Sequence, residues 1–269
     1  MPRLAANLSW LFTEVPFLDR FAAAADAGFG GVEWLFAYDD DPAALQQCIG
    51  RHGLQVALIN APPGDWDHGE RGLAAVPGRE DEFLVSIRRA ADLATAVGAP
   101  CVHVMAGLIP LAVERSRSEA AYLANLARAR DLLSRSGITV TIEPLNRRDM
   151  PGYLLTSSSQ AREVIDALGG PGCGVALQAD LYHLQIQEGD LTQLLRSAFD
   201  YIGHVQIAGV PERAEPDRGE LRTEALLDEL DTLSYAGWVG CEYRPATTAA
   251  AGLGWAARWL PGQRTAIGT

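Results

Sequence analysis

The most restrictive feature of this chain is a repeat: an Ala/Leu-rich stretch, a glycine, then a short apolar run rich in β-branched residues. Gly28, Gly53, Gly98, Gly137, the pair Gly172 and Gly174, Gly203 and Gly237 each precede such a run. Glycine suits the left-handed residue that ends a helix, so each one reads as a helix-to-strand turn. With residues 4–8 at the front, the predicted strands are 31–35, 54–59, 101–105, 138–143, 175–178, 204–207 and 238–242, eight in all. Helical stretches are predicted at 17–27, 41–49, 81–97, 118–134, 158–168, 191–199, 223–233 and 247–259. Strands alternating with helices imply parallel pairing, because a parallel return needs a crossover of about a helix's length. Eight such units in 269 residues fit an α/β fold of one type, a single (β/α)8 TIM barrel. An open doubly wound sheet would carry a glycine-rich phosphate loop after its first strand, and none follows Leu8. The cluster 169–174 precedes a strand and reads as a connecting loop. One barrel domain over 1–260 is expected, with 261–269 as a disordered tail.

Composition narrows the partners. The formal net charge is −12, which repels phosphate backbones and argues against nucleic acid. No apolar run reaches 18 residues, so no membrane span is expected, and the first ten residues lack the apolar core of a signal peptide. Four scattered cysteines without a CxxC pair suit reduced thiols in the cytoplasm.

Side chains alternate faces along a strand, so the strand ends locate the chemistry. Thr139, Thr141 and Glu143 share one face, while Val140 and Ile142 take the other. Pro144 cannot donate to a ladder, so the strand stops at Glu143. The same parity places Asp180 with Gln178, Gln206 with His204, and Glu242 with Gly240. Four consecutive strands therefore end in an inward oxygen donor at the mouth of the barrel, where TIM-barrel active sites lie. Two carboxylates ~5 Å apart repel by roughly 3 kcal/mol at an effective dielectric of 20. Three such pairs approach the stability of a whole domain, on the order of 10 kcal/mol. Protonation or a bound cation must relieve this. A set of Glu143, Asp180, Gln206 and Glu242 is all oxygen, which favours Mg²⁺ or Mn²⁺ over Zn²⁺.

Other polar residues surround these ends. His183 lies three residues after Asp180, where a loop histidine could reach a substrate oxygen. Arg213, in the predicted loop 208–220, offers a bidentate partner for a substrate carboxylate. Glu70 and Arg71 fall in a long predicted loop, 60–80; they can pair with each other or reach down to the substrate as a lid. His204 and His103 read as packed, hydrogen-bonded barrel histidines.

Several segments together resemble the hydroxypyruvate isomerase family, within the xylose-isomerase-like TIM barrels. They are Ala6-Asn-Leu-Ser9, Gly64-Asp-Trp, Gly69-Glu-Arg-Gly72, Pro77-Gly-Arg-Glu80, Ile142-Glu-Pro-Leu-Asn146, Asp180-Leu-Tyr-His183, Gly203-His-Val-Gln-Ile-Ala208, Gly240-Cys-Glu-Tyr243 and Ala251-Gly-Leu-Gly-Trp255. The resemblance implies a metal on Glu143, Asp180, Gln206 and Glu242, with Glu143 and Glu242 as proton donor and acceptor. It implies an aldose–ketose isomerase of a small anionic oxo acid, hydroxypyruvate to tartronate semialdehyde or a 2-oxo-tetronate. Such chemistry is coherent: a cation polarises the carbonyl and a carboxylate moves the proton. The family pattern is broken at Ala179, Gly209, Glu212 and Arg244, changes that bear on the substrate more than on the metal set.

Three other readings compete. A sugar epimerase on the same barrel usually has histidine where this chain has Gln206. A phosphodiesterase or abasic-site endonuclease would want several Zn²⁺ ions, more than the five histidines here supply, and a basic groove. A non-catalytic barrel would not retain all four donor positions. Whether the chain forms a homo-oligomer is open.

Overall fold

The computed structural model describes residues 1–260; the expected tail, 261–269, lies outside the described residues. Eight strands, β1 (Arg3–Asn7), β2 (Gly31–Trp34), β3 (Gln55–Asn60), β4 (Cys101–His103), β5 (Thr139–Ile142), β6 (Val175–Asp180), β7 (Ile202–Ile207) and β8 (Trp238–Cys241), form the sheet. They pair in chain order, all parallel, and β8 closes on β1 through Ala5 opposite Gly240. The chain is a single (β/α)8 barrel. The helices around it are α1 (Asp19–Asp26), α2 (Pro42–His52), α3 (Glu80–Val97), α4 (Arg115–Leu133), α5 (Ser158–Ala167), α6 (Leu181–Gln187), α7 (Leu191–Ala198) and α8 (Thr223–Thr232). Among the described residues, no helix is long and apolar enough to cross a membrane.

Local chemistry explains the punctuation. Asp41 caps α2, its carboxylate accepting from the Ala43 amide at 3.0 Å with Pro42 in the first turn. Gly53 and Gly98 end α2 and α3 at φ of 64° and 72°, as the repeat predicts. Gly203 and Gly237 serve a different need. Their φ is not left-handed; a Cβ at Gly203 would sit 2.6 Å from that of Ala176, and one at Gly237 would overlap the Tyr235 ring. Close packing, not turn geometry, requires glycine there.

Outward residues of the strands meet the helices. Trp34 is fully buried and lies edge-on to Phe21 and Phe17 of the α1 region, at centroid distances of 5.7 and 6.2 Å. Val140 and Ile142 are likewise fully buried on the outer face of β5. The inner face is polar for much of its depth, carrying Asn7, Glu33, His103, Thr141, Gln178, His204 and Gln206, all buried.

Two elements differ from expectation. Residues 181–187, read as a loop, form α6. Asp180 starts it as an N-cap, its Oδ1 accepting from the Tyr182 amide at 2.9 Å, so one residue ends β6 and begins a helix. The helix predicted at 247–259 is only a 3₁₀ segment, Ala250–Ala256. The two long loops are as predicted but tied down. Ala75 donates to the Ala106 carbonyl at 2.7 Å, and Gly72, at φ 118°, packs against the Met105 carbonyl where no side chain fits. In 208–220, Gly209 packs against the carbonyls of Ala214, Glu215 and Arg218, and buried Glu215 accepts from the Ala246 amide at 2.9 Å.

Candidate active site

The strand ends converge. Glu143 and Glu242 each follow the last ladder residue of their strands, β5 and β8, while Asp180 ends β6 and Gln206 lies within β7. All four are buried. Asp180 and Glu242 are joined by Arg213, whose Nη2 lies 3.1 Å from Asp180 Oδ2 and 2.6 Å from Glu242 Oε1. Gln206 donates to Glu242 Oε2 at 2.6 Å and accepts from Gln178 Nε2 at 2.7 Å. Gln178 Nε2 also reaches Glu143 Oε2 at 3.2 Å. The structure thus brings all four predicted donors into one polar cluster.

Burial dominates the electrostatics. It holds the Glu143 carboxyl well above its ordinary range, reinforced by the charges of Asp180 and Glu242. Burial raises Asp180 too, against the pull of Arg213 and the Tyr182 amide. Glu242 is pushed up to about 8, first by burial, with Arg213 opposing and Asp180 and Glu33 adding to it. One guanidinium does not offset three buried carboxylates, so the cluster favours protons or a further cation.

A cation fits. Glu143, Asp180 and His183 each offer a ligand atom, all within 4.8 Å of one another. The histidine takes a different part from the carboxylates. Its Nδ1 lies 3.2 Å from the Asn146 backbone amide, which can only donate, so Nδ1 accepts and the proton sits on Nε2. That N–H faces Asp180 Oδ2 at 3.7 Å and Glu143 Oε1 at 3.9 Å. Burial, aided by Arg213, keeps His183 neutral. His183 therefore presents a hydrogen-bond donor to the site, from α6 and not from the expected loop, and the carboxylates are the better ligands for a hard ion.

Arg213 is held in place from several sides. Its backbone takes a left-handed φ of 55°, strained for a non-glycine residue, and its guanidinium lies 4.7 Å from the Trp10 ring and 4.8 Å from that of Tyr182. Among the described residues Glu70 and Arg71 form no side-chain ion pair, although Arg71 donates to the Glu70 backbone carbonyl at 2.6 Å. Glu70 pairs with Arg79 and accepts from the Asp65 amide at 2.6 Å; Arg71 lies 3.9 Å over the Trp66 ring and donates to the Trp66 carbonyl at 2.9 Å. Their bonds stay inside the 60–80 region. His204 is hydrogen-bonded, as expected, to Glu33 at 2.7 Å. His103 is not: among the described residues neither ring nitrogen has a hydrogen-bond partner, although Nδ1 is 3.5 Å from Glu143 Oε2. Burial, with His204 nearby, drives His103 down to about 3, so it is neutral.

A family profile described as xylose isomerase-like TIM barrel matches residues 21–261. The chain belongs to that family. Within the xylose isomerase-like barrels, the 2-oxo-tetronate isomerase of Cupriavidus necator is 51% identical over 260 residues, spanning 97% of this chain and 99% of its own. The hydroxypyruvate isomerase of Escherichia coli K12 is 42% identical over 255 residues, 95% of this chain and 98% of its own. The crystal structure of a family 2 AP endonuclease from Brucella melitensis superposes with a TM-score of 0.94 at 46% identity, covering 97% of this chain and all (100%) of that one. On these relatives the chain is an enzyme, an isomerase of a small substrate on a xylose isomerase-like barrel.

Five further residues shape the site: Asn7, Asn146 and Tyr182, which fall in motif segments without a role of their own there, and Trp10 and Glu33, which fall outside them. Asn7 and Glu33 had a usable signal, since each is a polar residue within an otherwise apolar strand. The roles of Trp10 and Tyr182 were not legible, because their contact with Arg213 joins three separate parts of the chain.

Proposed function

We propose that this enzyme is a divalent-metal-dependent aldose–ketose isomerase of a small anionic oxo acid, either hydroxypyruvate or a 2-oxo-tetronate. The observation that carries the reading is the burial of Glu143, Asp180 and Glu242 in one cluster, their carboxyls raised, beside a donor histidine. The names of the relatives supply the substrate class. Mg²⁺ or Mn²⁺ would be held by Glu143, Asp180 and Glu242 with the Gln206 carbonyl oxygen. When bound, the ion would polarise the substrate carbonyl and offset the charge of the enediolate.

Proton transfer falls to Glu143 and Glu242. Glu143 Oε1 takes part in none of the hydrogen bonds among the described residues, so it is the oxygen open to a substrate C–H. Both oxygens of Glu242 are engaged, by Arg213, Asn7 and Gln206. A carboxyl raised toward neutrality can both take and return a proton near pH 7. His183 Nε2–H and Arg213 orient substrate oxygens, and the region of Glu70 and Arg71 shapes the mouth. Among the described residues His183 is the one histidine in the cluster with Glu143 and Asp180, which suits an isomerase better than a histidine-rich nuclease centre. Free thiols at Cys48, Cys101, Cys173 and Cys241 suit the cytoplasm.

The test is metal analysis of the purified protein together with NMR of solvent-proton exchange into hydroxypyruvate and 2-oxo-tetronates, with Mg²⁺ or Mn²⁺ supplied. Interconversion with exchange at the carbon between carbonyl and hydroxyl is expected. A protein that takes up no divalent ion and exchanges no proton into either acid would defeat the proposal.

A further inference from the structure

Glu33 lies beneath the site and none of the chemistry above uses it. It is fully buried on β2, where a register shift between Val32 and Glu33 bends the strand. Its carboxylate accepts three hydrogen bonds: from Asn7 Nδ2 at 3.0 Å, Gln206 Nε2 at 2.7 Å and His204 Nε2 at 2.7 Å. Room for it comes from Gly240 on β8, where a Cβ would overlap the Glu33 carboxylate.

An ionised carboxylate can only accept, so both amides must turn their NH₂ groups toward Glu33. Each NH₂ has a second hydrogen, and both spend it on Glu242 Oε2, at 3.0 Å from Asn7 and 2.6 Å from Gln206. The Gln206 carbonyl oxygen is thereby turned the other way, to the Gln178 amide that also reaches Glu143. Glu33, beneath the mouth, is the hydrogen-bond partner that all three side chains share.

We infer that Glu33 is a positioning residue: it fixes the amide polarity of Gln206 and Asn7, presenting the Gln206 oxygen to a bound cation and holding Glu242 in place. The inference rests on the metal-dependent reading above. It concerns the orientation of ligands and not their identity.

Isothermal titration with Mn²⁺ of the full chain tests it, with thermal unfolding of each metal-free protein alongside. Wild type is titrated first, and absence of any Mn²⁺ binding there overturns the parent reading and this inference with it. Glu33→Leu removes both acceptor oxygens, so neither amide is any longer held with its NH₂ group turned inward. Mn²⁺ affinity should fall by at least about tenfold, the usual effect of losing an outer-shell partner. Gly240→Ala keeps the Glu33 charge but displaces its carboxylate, and should show a comparable loss. His204→Gln removes the histidine from the same carboxylate yet leaves both amides on it. It should lower the unfolding temperature while Mn²⁺ affinity stays within about threefold, well short of the outer-shell effect. Unchanged affinity in Glu33→Leu would overturn the inference. So would a loss confined to Glu33→Leu, which would mark a charge effect, or equal losses in all three variants tracking their stability, which would mark a structural one.

Discussion

In the metal-free protein, stability should fall as pH rises from 6.5 to 8, and Glu242 should account for a definable share. Its carboxyl is raised from 4.5 to about 8 in the folded state. Between those values the folded protein keeps a proton that the unfolded chain has lost. The stabilisation is complete below the unfolded value and is lost as pH climbs through the folded one. The rate is about 1.4 kcal/mol per pH unit for one group. Below 6.5 the buried histidines oppose this. His103 and His183 are held below their ordinary value of 6.5, so they must stay neutral in the fold, and their stabilisation disappears as pH falls. From 6.5 upward that opposing contribution fades as the unfolded histidines lose their protons, and it cancels between wild type and a carboxylate variant. Glu242 then contributes a loss of about 2 kcal/mol by pH 8, and the raised Glu143 adds to the same slope. Urea unfolding at intervals across pH 6.5–8 in the presence of EDTA measures the slope in wild type and in Glu242→Gln. The wild type should lose about 2 kcal/mol more than the variant. Equal slopes, or a wild-type stability that rises over this range, would refute the electrostatic account of the cluster.

Other consequences follow from the same geometry. Glu143→Gln should lower turnover by about 10²–10⁴-fold, the usual range for a general acid–base group, with an unchanged circular dichroism spectrum; retained activity would remove Glu143 from proton transfer. Gly72→Ala should destabilise the protein by on the order of 2 kcal/mol in urea titration, because φ is 118° and the new methyl would overlap the Met105 carbonyl. Trp34→Ala removes a fully buried ring from its edge contacts with Phe17 and Phe21 and should lose about 3–5 kcal/mol in the same assay.

The barrel was legible because its determinants are local. Each unit carries its own glycine, its own β-branched run and its own helical period, and parallel pairing leaves few ways to close eight of them. Parity was local too: Glu143, Asp180, Gln206 and Glu242 face inward because successive strand side chains alternate. The strand-to-helix change at Asp180 was present in the residues as an N-cap, but a strand-end carboxylate and a cap look alike until the next turn forms. The left-handed reading of Gly203 and Gly237 failed for a related reason: a close neighbour leaves no mark at the glycine's own position.

By itself, then, the sequence determined the architecture, the inward row of oxygen donors and the acid excess around them, since all three depend on residue type and spacing along one strand or helix. Only the tertiary structure decided how those donors are wired. Arg213 between Asp180 and Glu242, the proton on His183 Nε2 and the three amide and imidazole bonds to Glu33 all join side chains far apart in the chain. Hydrogen-bond polarity is a property of the closed network, and no single strand carries enough of it to be read in advance.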